Sequence, residues 1–117
     1  MKVLVVDDEK DLKCCLRKAG IAGDAGALLV KTYQDGLAAL QGLGPWDVLL
    51  LDHDLGGAKT GYDLLCWFEQ APKERLHLLP ARVESISLNP VGSKRIQLLA
   101  ENLLAWQQLF KERGDLP

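Results

Sequence analysis

Two four-residue runs, Val3–Val6 and Val48–Leu51, are continuously apolar, and each stops abruptly at acids: Asp7, Asp8 and Glu9 after the first, Asp52, His53 and Asp54 after the second. A strand with water on one face alternates apolar and polar side chains, so an unbroken run describes a strand covered on both faces. Cover on both faces needs helices in the connections, and helical periods do separate the runs. The first strand spans Lys2 to Val6. Leu12, Cys15, Leu16 and Ala19 then recur at i, i+3, i+4 and i+7, and Gly20 can end that helix. After a Gly/Ala-rich loop, Leu28 to Tyr33 reads as a second strand and Asp35 to Gly42 as a short helix with Leu37 and Leu40 inward. The third strand runs from Asp47 to Leu51. Thr60 with Asp63 three residues on predicts a capped helix to about Gln70.

Arg82 to Ser87 is a weaker fourth strand, because Glu84 and Ser85 interrupt its apolar run, and that suits a sheet edge. Asn89 followed by Pro90 predicts an N-cap and first turn for a last helix running to about Arg113. The alternation of strand and helix predicts an α/β fold: a small three-layer α/β/α, flavodoxin-like sheet of about four parallel strands in order 2-1-3-4, ending in a long C-terminal helix. In that last helix Ile96, Leu99, Leu103, Trp106 and Phe110 keep 3,4 spacing. The stripe has two readings, as cover for the sheet or as the seam of a homodimer.

At 117 residues the expectation is a single domain, 1–117, with one core. Fourteen Lys plus Arg against 16 Asp plus Glu leave a net charge of -2, so no global basic field calls for nucleic acid or an anionic membrane. The apolar runs fall far short of the roughly 20 residues that cross a bilayer. Val3–Val6 stops at two aspartates, so neither a signal peptide nor an anchor is expected. Cys14, Cys15 and Cys66 form no metal-ligand spacing and are odd in number, which predicts a reducing, cytoplasmic setting. Cys15 reads as a small core residue.

In open α/β sheets, ligands bind beyond the carboxyl ends of the strands, where the strand order switches. With the first and third strands adjacent, Asp7, Asp8, Glu9, Asp52, His53 and Asp54 converge there. Carboxylates so close repel one another unless a cation intervenes, and hard oxygen ligands suit Mg²⁺, or Mn²⁺ in its place. Such an ion would in turn take phosphate oxygens. His53 is a candidate proton donor or acceptor. Ser87, Asn89 and the start of the last helix form a corner where free backbone N–H groups could bind an anion. Lys94 and Arg95 lie one turn further on.

VLVVDDEK, the aspartate of VLLLDHDLGG and the hydroxyl of Ser87 resemble a two-component receiver domain. That resemblance implies phosphorylation of Asp52, metal binding by Asp7 and Asp8, and Ser87 as a switch hydroxyl. The receiver's fifth strand, with its lysine, has no counterpart here. A closer resemblance is to the cyclic-phosphate processing receiver domain. It rests on the acidic end of the first strand, LDHDLG at Leu51–Gly56, TGYD at Thr60–Asp63, and Ser87, Asn89, Pro90 and Gly92 before the last helix. Ile86 stands where that family shows a histidine, and Lys10 is the basic residue after the acidic pair.

This resemblance implies a metal-dependent domain that hydrolyses cyclic phosphates of nucleotides or RNA ends. Asp7, Asp8 and Asp52 would hold Mg²⁺ or Mn²⁺, and His53 would act as general acid or base. Asp54 would orient His53 or the metal, and Ser87 and Asn89 would contact phosphate. The alternatives are an atypical receiver phosphorylated on Asp52, and a catalytically silent binding or dimerisation module. The partners implied are a phosphate-containing small molecule or RNA end, with no membrane.

Overall fold

The computed structural model describes residues 1–23 and 26–117. The Gly/Ala-rich loop after the first helix includes residues 24 and 25, which lie outside the described residues. Strands β1 (Val3–Val6) and β3 (Val48–Leu51) pair in parallel at the centre of a four-stranded sheet of order β2-β1-β3-β4, with β2 (Ala27–Val30) and β4 (Arg82–Ser85) at its edges. Every residue of the two central strands is buried, whereas only Val83 is fully buried in the edge strands. The predicted order and the edge position of the fourth strand are what the fold shows.

Side-chain alternation divides the sheet between two cores. Val3, Val5, Val48 and Leu50 meet Cys15 and Leu16 of α1 (Leu12–Lys18), together with Ile86. Leu4, Val6, Leu49 and Leu51 meet α2 (Tyr33–Gly42), α3 (Gly61–Gln70) and α5 (Pro90–Arg113) on the opposite face. A short α4 (Pro72–Arg75) and a 3₁₀ turn at Leu76–Leu78 lead into β4. No pattern in that segment announced these turns, yet Leu76 is fully buried in the larger core.

Several boundaries differ from expectation for local reasons. The second strand ends at Val30, and Tyr33 is helical. Thr32 caps α2 by accepting the Asp35 N–H at 3.0 Å, which starts the helix two residues early. The fourth strand ends at Ser85, because Ser85 Oγ accepts the Ser87 N–H at 3.2 Å and Ser87 Oγ accepts the Asn89 N–H at 3.0 Å. These side-chain turns replace further ladder bonds.

The stripe on the last helix covers the sheet through Ile96, Leu99 and Leu103, but Trp106 is 42% exposed. The inward position after Leu103 is Gln107, whose Nε2 donates to the carbonyls of Leu76 and Leu79 at 2.8 Å each. A buried amide with two acceptors costs little, and this one ties α5 to the turn before β4. Among the described residues, no helix is long and apolar enough to cross a membrane.

The predicted capping box at the start of α3 is complete. Thr60 Oγ1 accepts the Asp63 N–H at 3.2 Å, and Asp63 Oδ2 accepts the Thr60 N–H at 2.7 Å. The box sets the first turn of α3 so close to the end of β3 that a Cβ on Gly61 would overlap the Asp52 carbonyl oxygen. Backbone cannot swing aside as a side chain can. Gly61→Ala is expected to destabilise the domain by about 2–3 kcal/mol, measured as a lower urea midpoint with an unchanged slope.

Candidate metal and phosphate site

The register of the central strands brings both acidic ends to one edge. Val6 lies opposite Leu51, and the Asp52 N–H donates to the Val6 carbonyl at 2.9 Å, so Asp7 and Asp52 leave the sheet side by side. The Ile86 N–H donates to the Leu51 carbonyl at 2.9 Å and brings Ser87 to the same edge. Asp7, Asp8 and Asp52 each present a carboxylate oxygen, and these three atoms lie within 4.8 Å of one another. Asp7 and Asp52 are buried and Asp8 is half-buried.

Lys10 sits inside this cluster. Its Nζ lies 2.9 Å from Asp7 Oδ2, while Asp7 Oδ1 accepts the N–H groups of Glu9 and Lys10, each at 2.9 Å. Burial alone would raise the Asp7 carboxyl, but the Lys10 ammonium and the two backbone donors hold it below the usual carboxylate range. Burial likewise works against the Lys10 charge, yet its hydrogen bond to Asp7 and the charge of Asp52 keep the ammonium above its ordinary value. Asp52 goes the other way. Burial and the neighbouring Asp7 charge raise it, and neither Lys10 nor nearby Ser87 offsets them. Behind the cluster, burial and the Asp7 charge push the Cys15 thiol up to about 12, so it stays protonated as a core residue.

Three carboxylates against one ammonium leave a local excess of two negative charges. A divalent cation matches that excess, and the donor set is all oxygen. Asp8 supplies a second sign of fit, since its buried Oδ1 has no hydrogen-bond partner among the described residues. Its Oδ2 is crowded by Gly56, whose φ of +72° excludes most side chains and whose Cβ, were one present, would fall 2.8 Å from that oxygen. The residues present therefore fit a hard ion such as Mg²⁺ or Mn²⁺, with Asp7, Asp8 and Asp52 as the groups that could hold it.

The other predicted residues divide into two sets. Asp54, Ser87 and Asn89 line one small crevice of about 140 Å³ with Glu9, Lys10, Asp52 and Leu88. His53 is not among the lining residues. Its ring packs so closely on Gly92 that a Cβ there would overlap it, and its buried Nε2 has no hydrogen-bond partner among the described residues. The ring reaches the crevice only through Nδ1, 3.0 Å from Asp54 Oδ1. That contact, against an opposing desolvation and with a lesser contribution from nearby Asn89, holds the Asp54 carboxyl below its ordinary value.

The corner at the start of α5 is less open than expected. Asn89 Oδ1 accepts the Gly92 N–H at 3.1 Å, and the Ser93 N–H bonds the Asn89 carbonyl at 2.8 Å. Pro90 has no N–H, so the Ser87 and Asn89 side chains offer more to an anion than these backbone groups do. Ile86 does not face the crevice at all; it is 4% exposed in the core with Val5, Cys15 and Leu50. Sequence reasoning noted Lys10 as the basic residue after the acidic pair but gave it no role; its ion pair with Asp7 and its nearness to Asp52 appear only in the fold.

A family model described as the cyclic-phosphate processing receiver domain matches residues 2–102. No curated protein matches. Among solved structures, the Mn²⁺-bound form of the response regulator Rcp1 is similar, with a TM-score of 0.52, 17% identity, and coverage of 95% of this chain and 92% of that one. A fusion carrying the trimeric coiled coil of yeast Spc42 has a TM-score of 0.59 and 17% identity over 97% of this chain and 82% of the other. The receiver domain of NtrX from Brucella abortus is 25% identical, with a TM-score of 0.47, over 89% of this chain and 98% of that chain. This chain spans only 29% of a longer NtrX structure. The Rcp1 likeness is one of fold: a parallel sheet in receiver order with flanking helices.

The direction of the Asp52 shift makes a stability prediction. Because its folded value is raised, the ionised carboxylate carries a cost that is present at neutral pH and fades as pH falls through that raised value. In the presence of a chelator, Asp52→Asn is therefore expected to stabilise the domain by on the order of 1 kcal/mol. Thermal unfolding at neutral pH measures it, and the gain should shrink in acid.

Proposed function

This chain belongs to the cyclic-phosphate processing receiver domain family, and from that premise we propose that it is a metal-dependent phosphoesterase opening cyclic phosphates of nucleotides or RNA ends. The observation that carries this reading is the convergence of Asp7, Asp8 and Asp52 beside a crevice lined by Lys10, Asp54, Ser87 and Asn89.

Asp7, Asp8 and Asp52 would hold the ion. When bound, Mg²⁺ or Mn²⁺ polarises a phosphoryl oxygen and makes nearby water more acidic. Lys10 adds a fixed positive charge at the crevice wall, where the phosphorane-like transition state gathers negative charge. The Ser87 hydroxyl and the Asn89 carboxamide orient non-bridging oxygens. Asp54 takes a proton from the attacking water as the new P–O bond forms. The ring P–O bond to the sugar breaks, the leaving oxygen takes a proton from solvent at the open mouth, and Asp54 gives up to that solvent the proton it took. One water is consumed and a phosphate monoester results. The acid/base part expected of His53 falls to the His53–Asp54 pair: the ring keeps Asp54 ionised and aimed, and Gly92 fixes the ring. Ile86 removes nothing from this scheme, because position 86 lies in the core.

With Mn²⁺ or Mg²⁺ and a 2′,3′-cyclic nucleotide, the purified chain is expected to produce the ring-opened monoester. Asp52→Asn should slow turnover by on the order of 100-fold, and Ser87→Ala by about tenfold. The same cations should raise the melting temperature of the unaltered chain but not that of Asp8→Asn. Absence of both turnover and a cation-dependent melting shift sinks the proposal.

A second reading, phosphorylation of Asp52 in the manner of a receiver, draws on two observations. Ser87 and Asp52 line the same crevice, and the Lys10 charge acts on Asp52 from a position unlike the strand-five lysine of receivers. Incubation with a small-molecule phosphodonor and intact-mass measurement decides this: an added phosphoryl group absent from Asp52→Asn supports it, and an unchanged mass removes it.

A further inference from the structure

The crevice beside the acidic cluster, about 140 Å³, is under half the roughly 300 Å³ at which small-molecule pockets begin. It has room for a phosphate group and little of what the phosphate is attached to. A second cavity, of about 310 Å³, lies at the same edge of the sheet, between Thr32, Tyr33 and Gln34 at the start of α2 and the loop of residues 55–59 after β3. Gly56 gives it a common wall with the cluster, since a Cβ there would fall 2.8 Å from Asp8 Oδ2. Asp52 lines the crevice, and its carboxylate and that of Asp8 present oxygens within 4.8 Å of each other. The acids thus join two spaces, one small and one large enough for an organic group.

The larger space carries an aromatic ring and a cation. Tyr33 is half-buried, packs against the larger core and directly follows the Thr32 cap of α2, so its ring is held in place. Lys59 is exposed, and its Nζ lies 5.6 Å from the Tyr33 ring centroid. The other three cations over rings among the described residues sit at 4.1, 4.4 and 4.6 Å, so Lys59 is the most loosely held.

We propose that this cavity is a nucleobase subsite, in which the base of the substrate stacks on Tyr33 and the Lys59 ammonium closes over it. The inference rests on the cyclic-phosphate reading above, which puts a phosphate at the acids; the occupant of the adjoining cavity is then joined covalently to that phosphate. In a nucleotide or RNA end the remainder is a ribose and a flat base. A base offers its π-face to the tyrosine, and its ring nitrogens and carbonyls accept from an ammonium. Among the described lining residues only Leu55 and Ala58 are aliphatic, which leaves an acyl chain or apolar peptide little to pack on.

Titration calorimetry of the full chain with Mn²⁺, using adenosine 3′-monophosphate and glycerol 2-phosphate, tests the subsite without needing turnover. Both ligands carry a phosphate monoester beside a free hydroxyl, and only the first has a base. The nucleotide is expected to bind on the order of tenfold more tightly. Tyr33→Leu, which keeps apolar bulk against the core, should abolish that preference, and Lys59→Ala, at an exposed position, should cut it about threefold. Tyr33→Phe should keep it. Equal affinity of the unaltered chain for the two ligands overturns the subsite and leaves the phosphate site standing. A preference unchanged by Tyr33→Leu, or by Lys59→Ala, also overturns the subsite. Failure to bind either ligand overturns both the subsite and the reading on which it rests.

Discussion

The parallel pairing of β1 and β3 is the constraint on which the rest of the molecule depends. Val3 to Val6 match Val48 to Leu51 residue for residue, and both strands are buried on both faces. Equal length and matched register make the strands end together, so their first polar residues emerge at one height. A slip of one residue would turn the buried side chains of one strand toward the wrong core and carry Asp52 away from Asp7. Packing that stabilises the sheet is therefore the same packing that assembles the acidic cluster.

Concentrating charge in that way is costly, and the structure relieves the cost only in part. Lys10 and two backbone donors stabilise Asp7, leaving Asp52 strained by burial and by its neighbour, and leaving Asp8 with an orphaned oxygen. Incomplete compensation of this kind is expected where a site awaits a ligand. The near-neutral net charge of the chain hides it completely, because charge summed over 117 residues says nothing of where it sits.

The three motif glycines have one physical purpose between them, close approach to a site residue. Gly56 touches the Asp8 carboxylate, Gly61 abuts the Asp52 carbonyl, and Gly92 receives the His53 ring. A side chain at any of these positions would push a functional group out of place. The motifs are thus as much about the absence of atoms as about acids and hydroxyls. The His53 ring shows the consequence, since it packs on Gly92 with its Nδ1 3.0 Å from Asp54 Oδ1.

Local chemistry made much of this legible in the sequence. Unbroken apolar runs marked the central strands, Thr60 and Asp63 marked the start of α3, and Asn89-Pro90 marked the start of α5. Such signals act through neighbouring residues or through a period along one element, so they can be read without the fold. Other features needed distant partners. Gln107 is inward because the carbonyls of Leu76 and Leu79 await it, and Ile86 is core because Cys15 and Leu50 pack in the same cluster. Lys10 matters because Asp52 arrives next to it from 42 positions away. The sequence alone determined the four strands, the longer helices, their order and the acids at the strand ends. Tertiary structure alone decided which groups face the crevice and which face the core, because that choice rests on contacts between residues far apart in the chain.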